Sequence, residues 1–174
     1  MGNAKRVIRR IRRSIMDSAD LFRRRRTETP RLVGWIKKNQ VVVGPVWKET
    51  QNGKDMFKAE FVRPRAGSQL APFSKNHQIV LAAEAAAHQV AIASMKKFGK
   101  ANGKTMLVVK NSFTWRKKIP PKPQMIVQVT VKNETRLLGK NYKVFECTFT
   151  DKNQKTRYAT GEITILVQDK AQNH

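Results

Sequence analysis

Residues 74–98 read SKNHQIVLAAEAAAHQVAIASMKKF, a stretch without Gly or Pro. Its middle (Ile79, Val80, Leu81, Ala82, Ala83, Ala85, Ala86, Ala87, Val90, Ala91, Ile92, Ala93) is apolar on nearly every face. A helix that is apolar all round is buried all round. The polar ends, and Glu84, His88 and Gln89 inside the run, exclude a membrane span, so the helix must be surrounded by protein. The chain on either side reads as strand. Gln40–Lys48 and Lys54–Val62 are joined through Gln51-Asn52-Gly53, and Asn-Gly between two such runs is a hairpin signal. Thr105–Trp115, Met125–Glu134, Tyr142–Thr150 and Arg157–Gln168 follow. Their connections hold Pro120-Pro121-Lys122-Pro123, Gly139-Lys140-Asn141 and Asp151-Lys152-Asn153, which are turn compositions. The expectation is an α+β domain in which one curved antiparallel sheet of about five to seven strands wraps a central helix, with Ala82–Val90 at its centre.

Two strands, a long buried helix and four strands is the order of the hotdog fold, and particular residues carry the resemblance. The helix core LAAEAAAHQVAIAS resembles the helix of β-hydroxyacyl-acyl-carrier-protein dehydratases, which has the form L-x-x-E-A-x-A-Q. The stretch VVKNSFTWRKKIPPKPQMIVQVTV is similar to that family's strand, basic turn and returning strand. The resemblance covers residues 40–168. It places Glu84 on the family's catalytic carboxylate. The family's catalytic histidine opens an H-F-P-G-x-P-x-x-P-G segment, and the ungapped match puts Leu70 there. This chain reads LAPFSKNHQI at that point, so the glycines and most prolines of the segment are missing as well. Leu cannot do acid–base work. His77 could serve in its stead only with a rearranged loop. Hotdog thioesterases use a carboxylate with a histidine or amide near the same helix, and Asn76-His77 ahead of Glu84 is similar to that arrangement.

On its own terms Glu84 has three readings. A carboxylate inside an apolar helix must find partners or shift its pKa upward. A structural contact to His88, one turn on along the same face, is the plainest; a catalytic carboxylate is the second; a metal pair is the third. No metal and no cofactor are expected. Met95, Phe98, Phe113, Trp115 and Phe145 read as core.

Charge sets the other bound. The 174 residues hold 36 Lys and Arg against 12 Asp and Glu, a net charge of +24. Residues 1–38 contribute +10 and residues 39–174 the remaining +14, so the body is itself basic. Such a chain repels itself unless it meets a polyanion. Ten of the fifteen arginines fall in the first 31 residues, among them Arg6, Arg9, Arg10, Arg12, Arg13, Arg23, Arg24, Arg25, Arg26 and Arg31. Val7, Ile8, Ile11 and Ile15 recur between them at helical spacing. Residues 1–38 therefore read as a basic helical arm and linker, 39–169 as the hotdog domain and 170–174 as a tail. The arm has four readings: a nucleic-acid arm, a membrane-surface helix, a mitochondrial presequence, or a solvated tail. Asp17, Asp20 and Glu28 count against a presequence, and guanidinium clusters match phosphate geometry bidentately.

Cys147 is the only cysteine, which excludes disulfide frameworks within the chain. No apolar segment of secretory type opens the sequence, and the expected location is intracellular, either cytoplasmic or organellar, with mitochondria included. Two functions from different classes follow. The leading expectation is a non-catalytic hotdog protein that binds RNA as a structural component of a ribosome-like ribonucleoprotein, through the arm arginines, Lys37, Lys38 and the Arg116, Lys117, Lys118 turn. Protein partners within the particle and a hotdog homodimer are expected with it, and a membrane surface is not. The alternative is an acyl-thioester enzyme, a hydroxyacyl dehydratase or thioesterase, with Glu84 as base, His77 as helper and an acidic acyl-carrier protein as partner.

Overall fold

The computed structural model describes residues 40–62, 76–99, 101, 103–120 and 123–169, with the side chains of Asn76 and His77 not among them. The arm, Lys37, Lys38 and Leu70 lie outside the described residues. Among the described residues six strands and one helix make the fold: β1 (Trp47–Gln51), β2 (Lys54–Glu60), α1 (Asn76–Lys97), β3 (Lys104–Trp115), β4 (Met125–Leu137), β5 (Lys140–Asp151) and β6 (Arg157–Asp169). They form one antiparallel sheet in the order β1-β2-β4-β5-β6-β3, with α1 packed on it. This is the expected hotdog arrangement, an α+β fold of one sheet and one long central helix.

Apolar alternation and the helix's own composition explain the packing. Ala82, Ala83, Ala86, Ala87 and Val90 are 0 % exposed, and they meet inward residues of the sheet such as Val127, Val129, Phe145, Phe149 and Ile163. Alanines let helix and sheet approach closely, and the large side chains come from the strands. Cys147 lies in the same core, where burial first, and then Glu146 and Glu162, push its thiol pKa far up. That thiol is inert.

Three expectations are corrected. The helix is not covered on every side by the described residues: Leu81 is 54 % exposed and Glu84, Ala85 and His88 are half-buried, so one stripe stays open. The first strand is Trp47–Gln51 rather than Gln40–Lys48. Pro45 has no N–H to give a ladder, and the preceding segment runs beside β2 through single contacts, Gly44 N to Glu60 O at 2.9 Å and Val62 N to Val42 O at 2.7 Å. It is held to α1 by Gln89, which accepts from Val42 N at 3.0 Å and donates to Gln40 O at 2.9 Å. A polar residue inside the helix thus serves as a backbone clamp. Finally, the β4–β5 turn is Leu138-Gly139, not Gly139-Lys140-Asn141. The β1–β2 turn is as expected, with Asn52 and Gly53 at φ of 52° and 72°, the primed geometry that matches strand twist.

Candidate functional site

The open stripe of α1 faces β3, a strand at the end of the sheet. What it meets there depends on a bulge. Val108 pairs with Ile165 and Lys110 with Thr164, leaving Val109 as an extra residue. Before the bulge the inward set is even, Met106 and Val108; after it the set is odd, Phe113 and Trp115, with the exposed Asn111 on the same face. A bulge re-aims side chains in this way. Two of the re-aimed residues bond the helix: Trp115 Nε1 donates to Glu84 Oε1 at 3.2 Å, and Asn111 Nδ2 lies 3.1 Å from His88 Nε2. Phe113 sits between them, 6.3 Å from the His88 ring and 5.7 Å from Phe149, and Trp115 is 5.0 Å from Phe149.

The seam is therefore two polar contacts around an aromatic floor. Glu84 Oε1 takes one indole N–H, and its other oxygen has no hydrogen-bond partner among the described residues. Burial lowers the pKa of His88 from its ordinary 6.5, which keeps the imidazole neutral at pH 7. Asn111 then faces a neutral ring, and the tautomer with Nε2 unprotonated accepts its N–H. The direct Glu84–His88 contact expected from helical spacing is not made; each side chain reaches across to β3 instead.

Close packing at one glycine supports this floor. Gly161 on β6 pairs with Phe113, and a Cβ there would stand 2.3 Å from Phe113 Cδ1 and 2.3 Å from Ser112 O. Only a residue without a side chain lets the Phe113 ring lie over β6.

His77 stands in the first turn of α1, seven residues before Glu84, a rise of about 10 Å. Arg116, Lys117 and Lys118 are exposed beyond the end of β3, their turn tied down by Arg116 N and Lys117 N donating to Tyr158 O at 2.8 and 3.3 Å. Among the described residues no hydrogen bond or ion pair joins their side chains to Glu84. Phe98 is 40 % exposed, stacked on Phe57 at 5.5 Å, and is the one expected core aromatic that lies largely outside the core. Among the described residues no cluster of three His, Cys, Asp or Glu is placed to hold a metal. A cleft of about 420 Å³ between the end of α1 and the β4–β5 hairpin, and a groove of about 470 Å³ lined by residues of β3, β5 and β6, do not include Glu84. Sequence reasoning missed Asn111 and the role of Trp115. The break in alternation at Val108-Val109 was the available signal.

No protein-family model and no curated protein matches this chain. Solved structures do. A sigma28-regulated virulence protein of Campylobacter jejuni is 14 % identical over 87 % of this chain and 93 % of that one, with a TM-score of 0.54. A protein of Lactococcus lactis assigned as a thioesterase is 10 % identical over 75 % of this chain and 96 % of that one, at 0.53. A thioesterase of Haemophilus influenzae is 14 % identical over 74 % and 82 %, at 0.49. These comparisons correct the ribonucleoprotein reading. That reading rested on net charge, which does not specify a partner, whereas the Lactococcus structure sharing the fold is named for thioester chemistry. The chain has the hotdog fold of these structures, as the sequence of its central helix indicated.

Proposed function

We propose that this protein is an acyl-thioester enzyme of hydrolytic type, with Glu84 as its general base. The observation that carries the reading is the half-buried Glu84 carboxylate, fixed through one oxygen by Trp115 N–H at the β3 end of the sheet, its second oxygen without a hydrogen-bond partner among the described residues. A carboxylate so held can take a proton from water as that water adds to a thioester carbonyl. The C–S bond then breaks, and the thiolate leaves as the thiol once protonated. The name of the Lactococcus structure supports this class. Hydrolysis is favoured over dehydration because Leu70 stands where the dehydratases that α1 resembles carry a histidine. One carboxylate alone serves poorly both to remove an α-proton and to protonate a leaving hydroxyl. His77, two turns before Glu84, is the helper in this reading, and the acyl group is carried on coenzyme A or an acidic carrier protein.

A homodimer fits the same reading. Among the described residues β3 is an edge strand, and Leu107 and Val109 on it are 49 % and 50 % exposed. A second copy paired there would cover them and wall in the Glu84 seam.

The test is thiol release from a panel of short- to long-chain acyl-coenzyme A substrates. Wild type is expected to turn over at least one. Glu84→Gln keeps the Trp115 hydrogen bond and the fold and should lose about 10²–10⁴-fold in rate. Equal rates for wild type and variant, or no thiol release across the panel, would remove the proposal.

A further inference from the structure

The β4–β5 hairpin does something the rest of the sheet does not. β2 leaves β4 at Thr130, and β6 stays paired with β5 only as far as Asn141, so the exposed turn from Leu137 to Lys140 stands past the last paired residues on either side. Its tip is Leu137-Leu138-Gly139, with Leu137 59 % and Leu138 91 % exposed. Leu138 has φ of 49° and Gly139 φ of 75°. In a two-residue turn of this geometry both positions need positive φ, and Asn, Asp or Gly usually fill them. A leucine there is a backbone outlier and is unfavourable for folding. Its side chain meets water, so packing within the chain does not offset the strain.

Charge indicates what does. Arg136 and Lys140 flank the two leucines directly in the ladder, pairing with Asn141 and Leu137. Neither cation has an ion pair among the described residues, whereas Lys143 and Lys132 further down the ribbon are engaged by Glu134 and by Glu162 with Glu146. The tip is therefore two leucines within a collar of uncompensated positive charge, on a chain of net charge +24. A protein partner usually needs a patch of about 800 Å² with shaped complementarity. A projecting two-residue point offers no such patch, but it can enter the headgroup boundary of a bilayer while the collar meets anionic lipid.

We infer that the β4–β5 hairpin docks the protein on anionic phospholipid membranes by inserting Leu137 and Leu138 between headgroups contacted by Arg136 and Lys140. The sequence alone offered a membrane surface only as one reading of the arm and not for this hairpin, because the feature is made by a turn placed one residue earlier than composition indicates. The inference is independent of Glu84 and of thioester chemistry.

The test uses the full chain, since the basic arm supplies its own attraction to anionic surfaces and must be present in every arm of the comparison. Cosedimentation is measured with vesicles of equimolar phosphatidylglycerol and phosphatidylcholine, and with phosphatidylcholine alone. Wild type should bind the anionic vesicles and not the neutral ones. Leu138→Asn suits the positive φ, so it should raise the melting temperature and yet weaken anionic-vesicle binding; Leu137→Ser with Leu138→Asn should weaken it about tenfold. Opposite signs for stability and binding would establish that the leucine is there for the membrane. Binding unchanged in both variants, or absent in wild type, overturns the inference. So does a shift from dimer to monomer in the variants with vesicle binding intact, which would make the tip a contact between copies of this chain.

Discussion

The two sides of α1 are built from the same short residues and behave as opposites. On the sheet side Ala82, Ala83, Ala86, Ala87 and Val90 are wholly buried, and the buried polar side chains of α1, Gln89 and Ser94, spend their hydrogen bonds on backbone groups. On the β3 side Leu81, Glu84, Ala85 and His88 stay partly open, and Glu84 and His88 bond a tryptophan and an asparagine of the neighbouring strand. The dry side explains the wet one. Close-packed interiors fix their parts without slack, so the alanine face sets the height of the helix above the sheet. That height leaves Glu84 within one hydrogen bond of Trp115. The Glu84 carboxylate thus borrows its fixed position from the buried face of the same helix.

The sharpest way to break that contrast is to add volume on the dry side. Ala87→Leu places extra carbons where there is no space, and should destabilise by about 3 kcal/mol, the upper end of ordinary overpacking. Ala85→Leu, on the half-buried side, should stay below about 1 kcal/mol. Urea unfolding of the two variants decides the matter, and equal midpoints would mean that the two faces are not distinct. Gly161→Ala comes next. Its new methyl must displace both the Phe113 ring and the Ser112 carbonyl, each 2.3 Å away. The ring can turn aside, but the carbonyl moves only with β3. A loss of about 1–2 kcal/mol is expected, together with altered indole fluorescence, because Trp115 lies two residues beyond Phe113 on the same face. Full stability with unchanged fluorescence would show that β3 is looser at the seam than its packing indicates.

Most of the fold was legible because its signals are local. The Ala-rich run located α1 to within two residues at its start and one at its end, and Asn52-Gly53 located the first hairpin. Strands β3 to β6 followed from apolar runs between turn compositions. What was not legible depends on pairing across the sheet. Leu138 in a turn contradicts its propensity, so the composition drew the turn toward Gly139-Lys140-Asn141. The Val108-Val109 break in alternation hints at a bulge, but only the pairing with β6 fixes it there and sets Asn111 on the same face as Phe113 and Trp115. Glu84 was legible from the resemblance of its helix, and its hydrogen bond was not. The leading functional reading failed for a different reason: net charge was asked to name a partner.

The smallest effect, and the finest probe of the open side, is the pH dependence set by His88. Burial lowers its pKa from 6.5, so the unfolded chain takes up a proton near that value while the folded chain does not. The unfolded state then binds more protons, and stability rises with pH across that interval. His88 accordingly contributes nothing above its ordinary range and destabilises progressively as pH falls from about 7 through 6.5 toward the folded value. Glu49 and Asp55 have lowered pKa values, through hydrogen bonds with Lys58 and Trp47 and with Lys48 and Thr50. Their losses have the same sign but begin only below about 4.5 and about 4, nearer the carboxylate range. Between pH 7 and the carboxylates, then, the melting temperature should drop by a few degrees at most. His88→Gln keeps a polar partner for Asn111 and removes the titration, and it should flatten that interval while leaving the acid limb in place. If the slope persists in His88→Gln, the imidazole is better hydrated than a half-buried position beside Phe113 allows, and the open side of α1 is wetter than the seam described above.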